Sequence, residues 1–97
     1  MDGISFVWDD DKAAANRRKH RVSFEEARSA FWDEDARLIA DPDHSQSEER
    51  FILLGASTRM RILVVCHCYR HSDSQIRIIS ARRATKREQE QYRELRR

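Results

Sequence analysis

Apolar positions in this chain follow two rhythms. Between residues 24 and 31 they recur at helical spacing, with Phe24, Ala27 and Phe31 on one face. From residue 37 onward they gather into short branched runs, the pattern of strands. Asp9 caps a first predicted helix, with Asp10 and Asp11 early and Arg17, Arg18, Lys19 and His20 late. That order of charges complements the helix dipole. Ser23-x-x-Glu26 is a capping box that opens a second, short helix, and the chain reverses between the two at Arg21-Val22. Upstream, Ser5-Phe6-Val7-Trp8 predicts a small strand or an extended lead-in.

Four strands are expected after these helices: Arg37 to Ala40, Arg50 to Ala56, Arg61 to Cys68, and Gln75 to Ala81. Polar turns separate them at Pro42-Asp43-His44-Ser45, Ser57-Thr58-Arg59-Met60 and His71-Ser72-Asp73-Ser74. Loops this short join antiparallel neighbours into a meander. The run Ile62-Leu63-Val64-Val65-Cys66 is apolar on both faces, so its strand belongs in the centre. A third helix starts at the capping box Thr85-x-x-Glu88 and runs to the C-terminus. It is nearly all polar, with Ala84, Tyr92 and Leu95 as its chief apolar contacts. The expected fold is α+β: two N-terminal helices, an antiparallel sheet of about four strands, and a C-terminal helix. At 97 residues the chain is expected to be a single domain spanning 1–97. No apolar run approaches membrane-spanning length, which predicts a soluble, intracellular protein with no membrane partner.

The net charge of +2 conceals an asymmetry. Residues 1–49 carry −6 and residues 50–97 carry +8, and sixteen of the nineteen basic residues are arginine. Arginine is a planar, permanently charged fork suited to phosphate, and Arg77, Arg82 and Arg83 lie along a predicted strand or at its end. This predicts a protein that acts on nucleic acid, without separating a binder from an enzyme. Cys66-His67-Cys68 invites a metal reading, but on a strand His67 faces away from the two thiols. Structural thiols are expected, and no metal or cofactor. A zinc-dependent regulator acting through Cys66 and Cys68 is the remote alternative.

The ordered motifs resemble one family over nearly the whole chain. Phe6-x-Trp8-Asp9, Lys12 and Asn16-x-x-Lys19-His20-x-Val22-Ser23-Phe24-Glu25-Glu26-Ala27 are similar to the opening of BrnT-type toxins. Glu48-Glu49-Arg50-Phe51 with Leu54-Gly55, then Ile76 to Thr85 with Glu88 and Tyr92, continue the likeness in order. Arg21 departs from it, standing where the family usually has glycine, as does Tyr69, where an acidic residue often precedes Arg70. The resemblance implies a RelE-like fold and a cytoplasmic ribonuclease that blocks translation. It also implies neutralisation by a BrnA-type antitoxin, with DNA contacted only through that partner.

RNA can be cut without metal when its own 2′-hydroxyl attacks the adjacent phosphate. The reaction needs a base, an acid, and positive charge on the phosphorane. Arg82 is the first candidate for that charge, followed by Arg77 and Arg70. His67 and His20 are the candidate proton carriers, since histidine titrates nearest neutrality. Lys19, Arg83, Lys86, Arg87 and Tyr92 are the candidate RNA contacts, with a solvated helix face as the plainer reading of Arg83, Lys86 and Arg87. Glu49-Arg50 is expected to be a structural ion pair, and Glu49 is also a possible partner for Arg77. The competing functional reading is a non-catalytic nucleic-acid- or partner-binding subunit of a repressor complex.

Overall fold

The computed structural model describes residues 3–41, 49–71 and 74–95, the side chain of Leu95 excepted. The predicted turn Pro42 to Ser45, motif residue Glu48, and Ser72-Asp73 of the last turn lie outside the described residues. The elements are β1 (Ser5–Val7), α1 (Asp10–His20), α2 (Phe24–Ser29), a single 3-10 turn (Ala30–Trp32), β2 (Arg37–Ala40), β3 (Phe51–Ala56), β4 (Ile62–Arg70), β5 (Gln75–Arg83) and α3 (Lys86–Leu95). The four predicted strands form an antiparallel meander, with β4 at the centre of the sheet. One feature differs from expectation. β1 joins as a fifth strand, parallel to β5, so the order is β1-β5-β4-β3-β2 and the sheet is mixed. A parallel neighbour needs a long crossover, and the whole chain from α1 to β4 supplies it.

Local chemistry sets each helix. Asp9 accepts a hydrogen bond from the Lys12 amide (3.0 Å), and the Ser23 hydroxyl accepts one from Glu26 N (3.0 Å). The Ser23 capping box is only half made. Instead of returning to its own N-cap, the Glu26 carboxylate accepts from Arg61 Nε (2.9 Å) and Ser57 Oγ (2.7 Å). Arg61 also pairs with it through Nη2, and Nη2 donates to the Arg21 carbonyl (3.0 Å). Glu26 is almost fully buried, and its charge is tolerable because these donors replace water. They also hold its carboxyl below the ordinary range despite the opposing effect of burial.

α1 ends at Arg21, whose backbone is left-handed (φ 61°, ψ 30°) and whose N–H bonds to Arg17 O (2.9 Å). Glycine takes this conformation freely, whereas a side chain there costs about 1–2 kcal/mol. Gly55 is needed for a different reason. A Cβ there would lie 3.0 Å from both Ala30 O and Ala36 Cβ, where the 3-10 turn crosses β3.

The core lies between α1, α2 and one face of the sheet. Val22, Phe24, Ala27, Leu63, Val65 and Ile76 are wholly buried there. α1 is held at the sheet margin by one side chain. β1 accompanies β5 only as far as Arg77, which leaves the next stretch of the β5 edge without a strand. Asn16 fills the gap: its Nδ2 donates to Ala81 O (2.8 Å) and its Oδ1 accepts from Ala81 N (3.0 Å). The same Nδ2 also donates to Val22 O (3.0 Å). The side-chain amide thus stands in for a strand backbone. Replacing Asn16 with Ala leaves buried backbone groups at Ala81 unpaired, and urea denaturation should show a loss of about 2–4 kcal/mol. A loss below about 0.5 kcal/mol, the range of ordinary surface substitutions, would remove Asn16 from this role.

Candidate active-site cleft

Strand pairing decides which side chains share a face. Cys66 pairs with Ser80 but His67 with Ile78, so Ile79 is an extra residue in β5, a bulge. Strict alternation would turn Arg77 and Arg82 to opposite faces. With the bulge, Arg77 lies beside Cys68 and Arg82 beside Val64, both on the face away from α1 and α2. α3 lies over one side of that face, where Gln91 and Glu94 border a groove with Arg37, Ile39, Ile52 and Leu54. Next to it is a cleft of about 320 Å³ lined by His20, Asp41, Arg50, Cys66, Ser80 and Arg82, among others. His20 reaches it because Asn16, one turn earlier on α1, is fastened to Ala81, the residue before Arg82.

Arg82 is held rather than loose. Its Nη1 donates to Glu88 Oε1 (2.8 Å) and its Nη2 to Glu88 Oε2 (3.0 Å), a two-pronged pair. Nη1 also donates to the Arg83 carbonyl (3.3 Å). Of the five N–H bonds on the guanidinium, Nε–H and one on Nη2 remain for a ligand among the described residues. Glu88 serves twice, since Oε1 also accepts from Thr85 N (2.8 Å) while the Thr85 hydroxyl accepts from Glu88 N (3.2 Å). This capping box is complete. The Arg82 fork first, and then the Thr85 amide, bring the Glu88 carboxyl down to about 2. Arg83 is exposed at the end of β5, and Lys86 and Arg87 are exposed at the start of α3. Cations in a first helical turn oppose the dipole, so helix stability does not explain Lys86 and Arg87.

The other candidates divide. Arg77 shares the open face but lies further along β5, near Asp9 rather than Glu49: its charge is among the causes that lower the Asp9 carboxyl, after the Lys12 amide. Arg70 ends β4 and is exposed. Lys19 is exposed on α1.

Two expectations are corrected. His67 is fully buried on the helix-covered face, with its ring 4.8 Å from that of Phe31. Its Nδ1–H donates to Val65 O (3.1 Å), and Nε2 accepts from the Tyr69 hydroxyl (3.3 Å). A sheet separates it from Arg82, so it cannot carry a proton there. Tyr92 is also no RNA contact: it is buried, and its hydroxyl donates to Asp33 Oδ2, which also accepts from Ala56 N (2.8 Å).

Sequence reasoning passed over Arg50 and Asp41 as cleft residues. Their signal was position, at the two ends of the β2–β3 connection, where Asp41 N bonds to Arg50 O (2.8 Å). Among the described residues no cluster of three or more His, Cys, Asp or Glu has the arrangement of a metal site. None of the described helices is long and apolar enough to cross a membrane.

A mixed sheet with helices over one face and an arginine-bearing cleft on the other defines a small α+β protein able to hold an anion beside a histidine. The family model described as the ribonuclease toxin BrnT of type II toxin-antitoxin systems matches residues 8–88, and the chain belongs to that family. The crystal structure of the ribonuclease toxin BrnT from Brucella abortus shares the fold. The TM-score is 0.65 at 19% identity, over 86% of this chain and 99% of that one. No curated protein matches.

Burial lowers the His67 pKa from 6.5 to about 4, outweighing the Val65 hydrogen bond that raises it. The unfolded chain therefore takes up a proton between those values while the folded chain does not. Stability is full above about pH 6.5 and falls as pH drops toward 4. Over that interval the wild type should lose about 3 kcal/mol more than His67→Gln in pH-dependent urea titrations. Parallel pH curves for the two proteins would place the ring in water instead.

Proposed function

We propose that this chain is an endoribonuclease toxin that cleaves RNA without a metal in the His20–Arg82 cleft. In this reading it acts in the cytoplasm, blocks translation, and is neutralised by a BrnA-type antitoxin through which alone it meets DNA. The observation that carries the proposal is that His20 from α1, Arg82 from β5 and Arg50 from the β2–β3 connection line one cleft on the open face. His20 accepts the proton of the 2′-hydroxyl as its oxygen bonds to phosphorus. The P–O5′ bond then breaks, leaving a 2′,3′-cyclic phosphate, and the 5′-oxygen takes a proton from His20 or from water. Arg82 contributes two aimed N–H donors to the phosphorane, with Glu88 fixing their direction. Arg77 and Arg70, on the same face, would act on flanking phosphates, as would Lys19, Arg83, Lys86 and Arg87.

Protein freed of its antitoxin should cut RNA in EDTA. Arg82→Ala should lower the rate about 10²–10³-fold, the usual cost of one well-placed stabiliser. His20→Ala should abolish the acid limb of the pH–rate profile. Cleavage by Arg82→Ala at the wild-type rate would remove that arginine from the mechanism.

The Arg82–Glu88 pair also favours a second reading, because it neutralises the leading cation of the cleft. In that case the chain is a non-catalytic subunit that binds nucleic acid or a partner within a repressor complex. Salt-sensitive binding by the purified chain with no strand scission, in EDTA or in magnesium, would establish this alternative.

A further inference from the structure

The C-terminal end of α1 carries a second basic feature that the cleft does not use. Arg17, Arg18 and Arg21, with Ala14 beneath them, line an open groove of about 540 Å³. All three arginines are exposed, and none of their side chains has a hydrogen-bond or ionic partner among the described residues. Compensation of the helix dipole explains cations on the last turn, but it does not explain Arg21. That residue lies beyond the helix in a left-handed conformation that penalises any side chain. Its backbone is fixed there by Arg17 O on one side and Arg61 on the other. A strained backbone at a residue that lines a groove with two further unpaired forks is a reason to look for a ligand. The ligand chemistry follows from the donors: guanidinium planes with nothing to neutralise them suit phosphodiester oxygens. The groove also adjoins the cleft. His20, which lines the cleft, lies three residues after Arg17 and one before Arg21, within about one helical turn.

We propose that Arg17, Arg18 and Arg21 form an auxiliary phosphate-binding groove that holds the RNA backbone outside the cleft. The inference rests on the reading of the chain as a ribonuclease, yet it has a readout that needs no cleavage. A 2′-O-methyl oligoribonucleotide cannot be cut, because its 2′-oxygen is blocked. Its binding is measured by fluorescence anisotropy across a salt series, with the wild type and an Arg17→Gln, Arg18→Gln, Arg21→Gln triple variant. Three lost phosphate contacts should flatten the log–log salt slope by about 2, since each contact on a single strand contributes about 0.7. With cleavable substrates, the triple variant should turn over a dinucleotide as the wild type does, while KM for a long RNA rises.

Arg21→Gly separates function from structure. It should raise the melting temperature by relieving the left-handed strain, and weaken the anisotropy-detected complex. An unchanged salt slope in the triple variant, or an Arg21→Gly protein that binds the oligonucleotide as tightly as wild type, would overturn the groove. So would variants that keep RNA binding and lose only the antitoxin, which would make the arginines a protein-docking surface. If the wild type cuts no RNA, the cleavage reading fails while the salt slopes still decide the groove.

Discussion

One side-chain amide governs how the two functional parts of this molecule meet. Asn16 occupies the place on the β5 edge where β1 gives out, and it satisfies both backbone groups of Ala81. A bare strand edge would otherwise have to find water or another chain. Because the bond is bidentate it fixes the rotation of α1 as well as its distance. His20, one turn on, is thereby set against the open face, and Arg82, one residue on from Ala81, is set on the other side of the same cleft. The basic end of α1 is carried to its place by the same contact.

Charge is arranged by sharing carboxylates. Glu88 completes the α3 cap and holds Arg82, so the strand end and the helix start form one unit. Glu26 similarly ties α2 to Arg61 and, through it, to the carbonyl of Arg21. The excess acid of the first half and excess base of the second do not cancel uniformly. Glu26 and Arg61 join the two halves, whereas Arg82 and Glu88 both belong to the basic half, and exposed cations are left at the end of α1 and the start of α3.

Much of this fold was legible in the sequence because its signals are local. Caps at Asp9, Ser23 and Thr85, branched runs, and polar turns each depend on a few neighbouring residues, and all the predicted elements formed within a few residues of expectation. What was not legible depends on which side of the sheet a residue meets. His67 and Tyr92 have the right chemistry for a site, but His67 faces the aromatic core and Tyr92 is tethered to Asp33. The sequence reading pairs Arg50 with Glu49 and does not single out Asp41, because nothing nearby in sequence marks the cleft that Asp41 and Arg50 line. The fit of β1 beside β5 likewise needed a long-range parallel pairing that no short pattern encodes.

The unpaired residue in β5 has a consequence for how this chain can change. The ladder passes over Ile79, so the residues on either side of it alternate as if it were absent. Exchanging it for another branched side chain alters local packing only. Excising it would close the ladder without inverting a face: Arg77 and Arg82 would stay together on the open side, Ala81 would stay turned to the amide that clasps it, and only the local bend would be lost. The reverse change is the damaging one: drawing Ile79 into the regular pairing would swing Arg82 in among the helices.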